Sequence, residues 1–230
     1  NRRFSRMSVY TRLVILITTV LIFGGAGIFA ALEWNNPGTL GGLTPSQKLM
    51  AALFQSVTLR TAGFASFNQD ALTEASKLLS SLLMFVGGSS GSTAGGVKTV
   101  TMGLVVLSAV STMRGRRQVT VFRRSISQQD ISNAVSVALL VLGLSLFGAA
   151  VLTVCDRCSF LNAIYETTSA LCTVGLTTGI TGTLCAASKL ILIVFMFFGR
   201  VGIMTIGVGF MMGDRARERI HYAETKVMIG

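Results

Sequence analysis

Two four-residue stretches carry the chemistry this sequence can do. Thr61-Ala62-Gly63-Phe64 and Thr173-Val174-Gly175-Leu176 stand 112 positions apart. Neither holds a nucleophile with a base, a metal-ligand set or a pair of acids. What they offer is backbone. Glycine adopts dihedral angles that other residues resist, so a Thr-x-Gly segment can turn successive carbonyl oxygens to one side. A ring of such carbonyls can replace the water shell of a monovalent cation, and the hydroxyls of Thr61 and Thr173 could add ligands at its inner end. With the residue preceding each stretch, the candidate ion-binding set is Arg60, Thr61, Ala62, Gly63 and Cys172, Thr173, Val174, Gly175. One Thr-Val-Gly tripeptide could simply be a turn closing a helix. Two at one offset, in the same surroundings, argue for a shared task.

Two other features could act on an ion path. The run Gly87-Gly88-Ser89-Ser90-Gly91-Ser92-Thr93-Ala94-Gly95-Gly96-Val97-Lys98 lies between two short apolar stretches. As a phosphate cradle it fails, because Val97 separates Gly96 from Lys98-Thr99 where G-x-x-x-x-G-K-[ST] allows no insertion, and no strand precedes it. A flexible helix break and a gate both fit, and the mid-membrane position favours the gate. Arg200 falls in the last apolar run, at the position Gly88 holds in the other half. An arginine at mid-membrane costs about 2.5–3.5 kcal/mol and must find partners or water. No acid lies in its own run, so a cavity-facing role is expected, where its charge would repel cations. Cys155 and Cys158 form an isolated C-x-x-C best read as loop thiols. Asp70, Glu74, Asp156 and Glu166 read as outer loop charges, and Lys77 and Lys189 as side chains snorkelling to the interface.

The elements that position these residues are built twice. Ser76-Lys77-Leu78 aligns with Ser188-Lys189-Leu190, and Met84-Phe85-Val86-Gly87 with Met196-Phe197-Phe198-Gly199, without a gap from Ala51 to Gly91. Each half reads as span, short helix, Thr-x-Gly, span. Leu13–Leu32 is long enough to cross the hydrocarbon core. Thr44-Pro45-Ser46-Gln47 opens a helix by a capping box with proline at N1. That helix runs to about Thr58, too short to span, and so reads as a re-entrant half-helix. Leu78–Val86 and Val100–Val110 form one broken span. In the second half, Ile131–Val154 spans, Ser159 to about Cys172 is the short helix, and Ser188–Met212 is an unbroken span. A dipping helix points its carbonyl end, about half a negative charge, toward the bilayer centre and so favours a cation there.

Composition agrees. Hydrophobic residues are 51% and charged residues 13%, with a mean hydropathy of +0.67; a soluble domain has about a quarter of its residues charged. The net charge of +11 suggests no nucleic-acid partner, because the basic residues lie between apolar runs. Residues 1–12, 113–130 and 213–230 hold 13 of the 20 Lys and Arg, so these segments face the cytoplasm by the positive-inside rule. Lys48, Arg60, Lys77, Arg157 and Lys189 fall outside. Residues 1–112 form one repeat, 113–130 a basic linker, and 131–230 the second repeat with a tail.

With these residues in view, the chain resembles the Trk/Ktr/HKT superfamily of potassium transporters. The resemblance rests on Ser56 through Phe64, Gly91 through Lys98, and Phe198-Gly199-Arg200-Val201-Gly202. The ending Val227-Met228-Ile229-Gly230 is most like the branch of KtrB membrane subunits. The resemblance implies an all-α integral membrane fold of tandem M1–P–M2 units, repeats three and four of a four-repeat pore whose first two repeats lie upstream. It implies a selectivity filter with one glycine per repeat. Phe64 and Leu176 stand where tetrameric channels have tyrosine, so a looser filter is expected. It further implies that residues 87–98 are an intramembrane gating loop touched by Arg200. Implied partners are the lipid bilayer, a second copy in a homodimer, and a cytosolic ring of nucleotide-binding RCK subunits, KtrA-like. The expected setting is the bacterial inner membrane, multi-pass. No cofactor and no enzymatic activity are expected; potassium is the substrate, and sodium dependence stays open. The rivals are a sodium- or proton-coupled carrier, which should show acids inside its spans, and a nucleotide-binding membrane enzyme, which should show a true phosphate motif.

Overall fold

The computed structural model describes residues 7–89, 91, 92, 94–115, 118–122 and 124–201. The chain is mostly helical. Its order is α1 (Val9–Glu33), α2 (Pro45–Thr58), α3 (Glu74–Phe85), α4 (Thr99–Met113), a two-residue antiparallel ladder of β1 (Thr120–Val121) and β2 (Arg124–Ser125), then α5 (Gln128–Asp156), α6 (Phe160–Leu171) and α7 (Ala186–Val201). The part of the last expected span beyond residue 201, the C-terminal tail and residues 1–6 lie outside the described residues, as do Ser90 and Thr93 of the glycine-rich run.

Local sequence explains the helix boundaries. At α2, Pro45 occupies the first turn, and the Thr44 N–H donates to Gln47 Oε1 at 3.1 Å. The Ser127 hydroxyl accepts from the Asp130 N–H at the start of α5. The Thr73 hydroxyl accepts from the Ser76 N–H at the start of α3. That cap sets the start of α3 at Glu74 rather than at the apolar Leu78. α1 and α5 are long and apolar enough to cross a membrane, with mean hydropathy 2.5 each. At 1.5 Å per residue, α2 and α6 cover only about 20 Å.

α1 packs on α2, and α6 packs on both α5 and α7. The two halves meet where α3 lies against α6 and α4 against α5. Met84, Leu59, Tyr165, Leu171, Val97 and Leu152 are fully buried. The outward faces are apolar too: Val20 and Phe23 on α1, Leu139 and Phe147 on α5, and Ile193 and Phe197 on α7 are exposed. Helices apolar on every side belong in lipid or in a larger core.

Several charges sit differently from the sequence expectation. Glu33 closes α1 and is buried. It accepts from the Thr73 N–H at 3.0 Å and the Thr73 hydroxyl at 2.7 Å, and from Asn36 and Thr39. Asp156 closes α5 and accepts from the Cys185 N–H at 2.6 Å and the Ser188 hydroxyl. In each half, then, a carboxylate at the end of the first long helix holds the start of the helix after the Thr-x-Gly segment, α3 or α7. Asp156 is therefore not an idle loop charge. Lys77 does not snorkel: it is buried and donates to Asp70 and to Asn162 of α6, both at 3.0 Å. A buried ammonium must be paired, and this pairing ties the two halves together.

Replacing Glu33 by alanine leaves the Thr73 N–H and two hydroxyls without their acceptor. Glu33→Ala is expected to lower stability by about 2 kcal/mol, read as a fall in the thermal midpoint in detergent. An unchanged midpoint would remove the carboxylate from this role.

Candidate functional site

The Thr-x-Gly segments leave the C-terminal ends of the short helices α2 and α6. Both segments use the same backbone alternation. Thr61 and Gly63 have φ of 69° and 77°, and Thr173 and Gly175 have 57° and 90°, while Ala62 and Val174 between them are not left-handed. Threonine in the left-handed region is strained, and here the strain occurs twice at matching positions. Several N–H groups of these segments fold back onto the helix ends: Ala62 and Gly63 donate to the Thr58 carbonyl, Thr173 to Ala170 and Val174 to Ser169. No backbone N–H among the described residues donates to the carbonyls of 60–63 or 172–175.

The residue after each glycine is fixed by a hydroxyl from its own short helix. The Thr58 hydroxyl meets the Phe64 carbonyl and N–H, each at 2.7 Å, and the Ser169 hydroxyl donates to the Leu176 carbonyl at 2.6 Å. The segments also meet each other. A Cβ on Gly63 would collide with the Val174 carbonyl oxygen and lie 3.8 Å from the Gly175 Cα. Only glycine lets the two backbones approach this closely.

The glycine-rich run lies against the base of the second segment. Its neck is closed by a parallel bridge between Val86 and Val97, with the Gly87 N–H donating to the Val97 carbonyl at 2.9 Å and the Val97 N–H to the Phe85 carbonyl at 3.1 Å. The Gly95 N–H donates to the Thr173 hydroxyl at 2.8 Å. A Cβ on Gly95 would come within 2.8 Å of the Cys172 carbonyl oxygen and of Thr173. The Lys98 ammonium turns back to the Ala94 carbonyl.

Arg60 departs from the outward placement that the charge count gave it. Its guanidinium donates to the Gly87 carbonyl at 3.2 Å and to the Thr99 hydroxyl at 2.9 Å, at the break between α3 and α4. The break leaves helix-end groups unpaired, and the nearby guanidinium satisfies some of them.

Arg200, on the last turn of α7, lines two cavities. One, about 760 Å³, also touches Ser92, Ala94, Gly95, Lys98 and the starts of α1 and α5. The other, about 550 Å³, is lined by Glu166, Ser169, Thr173, Gly175 and Thr177. Arg200 thus stands between the glycine-rich run and the second Thr-x-Gly segment. Among the described residues, no group of three or more His, Cys, Asp or Glu could hold a metal ion.

Sequence reasoning missed Glu166 as a buried residue, and it missed Thr58, Ser169 and Thr99. The signal for Glu166 was present: a carboxylate inside a short, otherwise uncharged helix is costly to bury and seldom idle.

A family model described as TrkH, cation transport protein, matches residues 7–217. The chain belongs to the TrkH cation transport protein family. Ktr system potassium uptake protein B of Bacillus subtilis (strain 168) is 39% identical over 230 residues, covering 100% of this chain and 51% of that protein. The protein of the same name from Vibrio alginolyticus is 31% identical over 230 residues, again 100% of this chain and 50% of that protein. The potassium/sodium uptake protein NtpJ of Enterococcus hirae is 33% identical over 233 residues, 99% of this chain and 51% of that protein. The TrkH-family chain therefore spans about half the length of these curated relatives. The crystal structure of the potassium transporter TrkH from Vibrio parahaemolyticus superposes with a TM-score of 0.69 at 21% identity, over 87% of this chain and 44% of that one. That likeness shows a shared fold.

Thr173→Val keeps the shape of the side chain and removes the acceptor of the Gly95 N–H. Hydrogen–deuterium exchange of the peptide containing Gly95 is expected to speed by about tenfold. Unchanged exchange would mean that this contact does not hold the run in place.

Proposed function

We propose that this chain forms two M1–P–M2 repeats of a potassium uptake pore in the plasma membrane. The pore is completed by two further repeats of the full-length protein. Residues 60–63 and 172–175 are the selectivity filter, where backbone carbonyls take over the hydration shell of a potassium ion. The observation that carries this reading is the paired φ alternation at Thr61, Gly63, Thr173 and Gly175, on two segments close enough for Gly63 to need its missing side chain. Non-helical backbone at membrane depth is tolerated where it is buried in protein or lines water. The names of the matched relatives, potassium or potassium/sodium uptake proteins, agree with a monovalent cation as substrate.

Residues 87–98 act as the gate below the filter, and Arg200 holds that gate closed electrostatically. Contact of Gly95 with Thr173 and the shared cavity of Arg200 and Lys98 support this. A second copy of the chain and a cytosolic nucleotide-binding RCK ring, KtrA-like, complete the assembly on this reading. The potassium/sodium name of one relative keeps a sodium-coupled mode as the second reading.

Three experiments test the function. In cells lacking their own potassium transporters, the full-length protein is expected to restore potassium uptake, and repeating the assay without a sodium gradient separates pore from coupled carrier. Gly63→Ser and Gly175→Ser are each expected to lower the potassium-to-sodium preference by about tenfold or more; an unchanged preference in both ends the filter assignment. Arg200→Ala is expected to raise basal ion flux several-fold by removing a charge that repels cations. Equal flux in the variant and the parent would take Arg200 out of the gate.

A further inference from the structure

Each Thr-x-Gly segment is followed by a 3₁₀ turn, Gln69–Ala71 in the first half and Ile180–Gly182 in the second. Gln69 and Thr181 are equivalent at the repeat offset of 112, and each is stapled to the short helix of its own half by different chemistry. In the first half the staple is neutral. Gln55 of α2 donates to Gln69 Oε1 at 2.6 Å, and the Tyr165 hydroxyl of α6 donates to the same oxygen at 3.0 Å. Both glutamines are buried.

In the second half the staple is a carboxylate. Glu166 of α6 is 4% exposed. Its Oε1 accepts from the Thr177 hydroxyl at 2.6 Å, the Thr178 N–H at 2.9 Å and the Thr178 hydroxyl at 3.2 Å, and its Oε2 accepts from the Thr181 hydroxyl at 2.9 Å. The Thr177 hydroxyl in turn accepts from the Gly179 N–H at 2.8 Å. With the Leu176 carbonyl held by Ser169, the residues from 176 to 179 are all anchored, and they begin one residue after Gly175. Charge-assisted hydrogen bonds are about twice as strong as neutral ones. The second segment is therefore fixed more firmly than the first. Gly175, Thr173 and Glu166 also line one cavity.

We infer that Glu166 is a positioning residue for ion selection: through Thr177, Thr178 and Thr181 it sets the width available at the outer end of the 172–175 segment. The inference rests on the filter reading above. It makes the pore asymmetric by construction, with one segment held by charge and the other by neutral amides and a tyrosine. Discrimination between potassium and the smaller sodium then depends on the charged staple, because a segment free to relax inward can coordinate the smaller ion as well.

The test uses the full-length protein in the transporter-deficient cells and reads potassium KM, maximal rate and potassium-to-sodium preference separately. Glu166→Gln is expected to lower the preference and raise KM by about tenfold while the maximal rate per folded protein changes less. Glu166→Asp is expected to fall between that variant and the parent. Glu74→Gln, which removes an exposed outer carboxylate, is expected to leave all three unchanged. If Glu166→Gln yields no folded protein, the double variant Thr177→Val with Thr181→Val decides, since it removes two donors and keeps the carboxylate. An unchanged preference in whichever of these folds, with Gly175→Ser still losing it, overturns the staple and leaves the filter standing. An unchanged preference in both glycine variants overturns the filter, and the staple falls with it.

Discussion

A backbone carbonyl at membrane depth must be met by something, because lipid offers no donor. That constraint governs this chain. Both short helices end at buried residues, Leu59 and Leu171 with Cys172, and each end exposes carbonyls that the helix itself cannot satisfy. The chain answers by spending its donors selectively. The N–H groups of residues 62, 63, 173 and 174 return to the helix ends, and the hydroxyls of Thr58 and Ser169 engage Phe64 and Leu176. The carbonyls in between receive no backbone donor among the described residues. A segment that returns its N–H groups to its own helix and leaves its carbonyls without a backbone donor presents an acceptor surface. The left-handed φ values at two threonines are the conformational cost of that arrangement.

The duplication is clear in backbone and loose in side chains. The same tasks recur in both halves, but by different residues at shifted positions. A hydroxyl holds the residue after the glycine in each half, yet Thr58 and Ser169 are one position out of register with the offset of 112. A carboxylate holds the start of the helix after the Thr-x-Gly segment in each half, yet Glu33 and Asp156 lie 123 apart, because the connector after α1 is longer. Arg60, which ties the first segment to the break at Gly87, is matched by Cys172, buried where α7 crowds the end of α6. A Cβ on Gly199 would strike the Leu171 carbonyl, so the second half has no room for a second arginine there.

These shifts explain what could be read from the sequence. Helix positions followed from signals local to each element: the hydropathy of α1 and α5, the proline and glutamine opening α2, and the glycines that end a run. The paired segments were legible because two copies at one offset correct for each other's weakness. Contacts between elements were not. Glu33 and Asp156 escaped a comparison made at a single offset. Glu166 read as a loop charge because its four donors come from residues 177–181, which no spacing rule ties to it. Lys77 read as a snorkelling lysine because Asn162, its partner, belongs to the other half. The ladder at Thr120–Ser125 was hidden in a run of arginines whose charge suggested only topology.

The broken helix has its own physical logic. α3 and α4 would together make one span, and a continuous helix there would keep its own carbonyls satisfied. Interrupting it exposes the last carbonyls of α3 and the first N–H groups of α4, which then need outside partners. The bridge between Val86 and Val97 satisfies some of them within the run itself. Arg60 and Thr99 engage the Gly87 carbonyl, and the Thr99 N–H donates to Gly88. The neck of the run is thus self-sufficient, while its far side is held to the Thr-x-Gly base by the Gly95–Thr173 contact and close packing at Cys172. The run is thus closed at its neck and seated against Cys172 and Thr173. The glycines make that geometry available: side chains at 87, 95 and 96 would press on backbone or on Cys172. The same glycines let the run fit closely against the base of the second Thr-x-Gly segment.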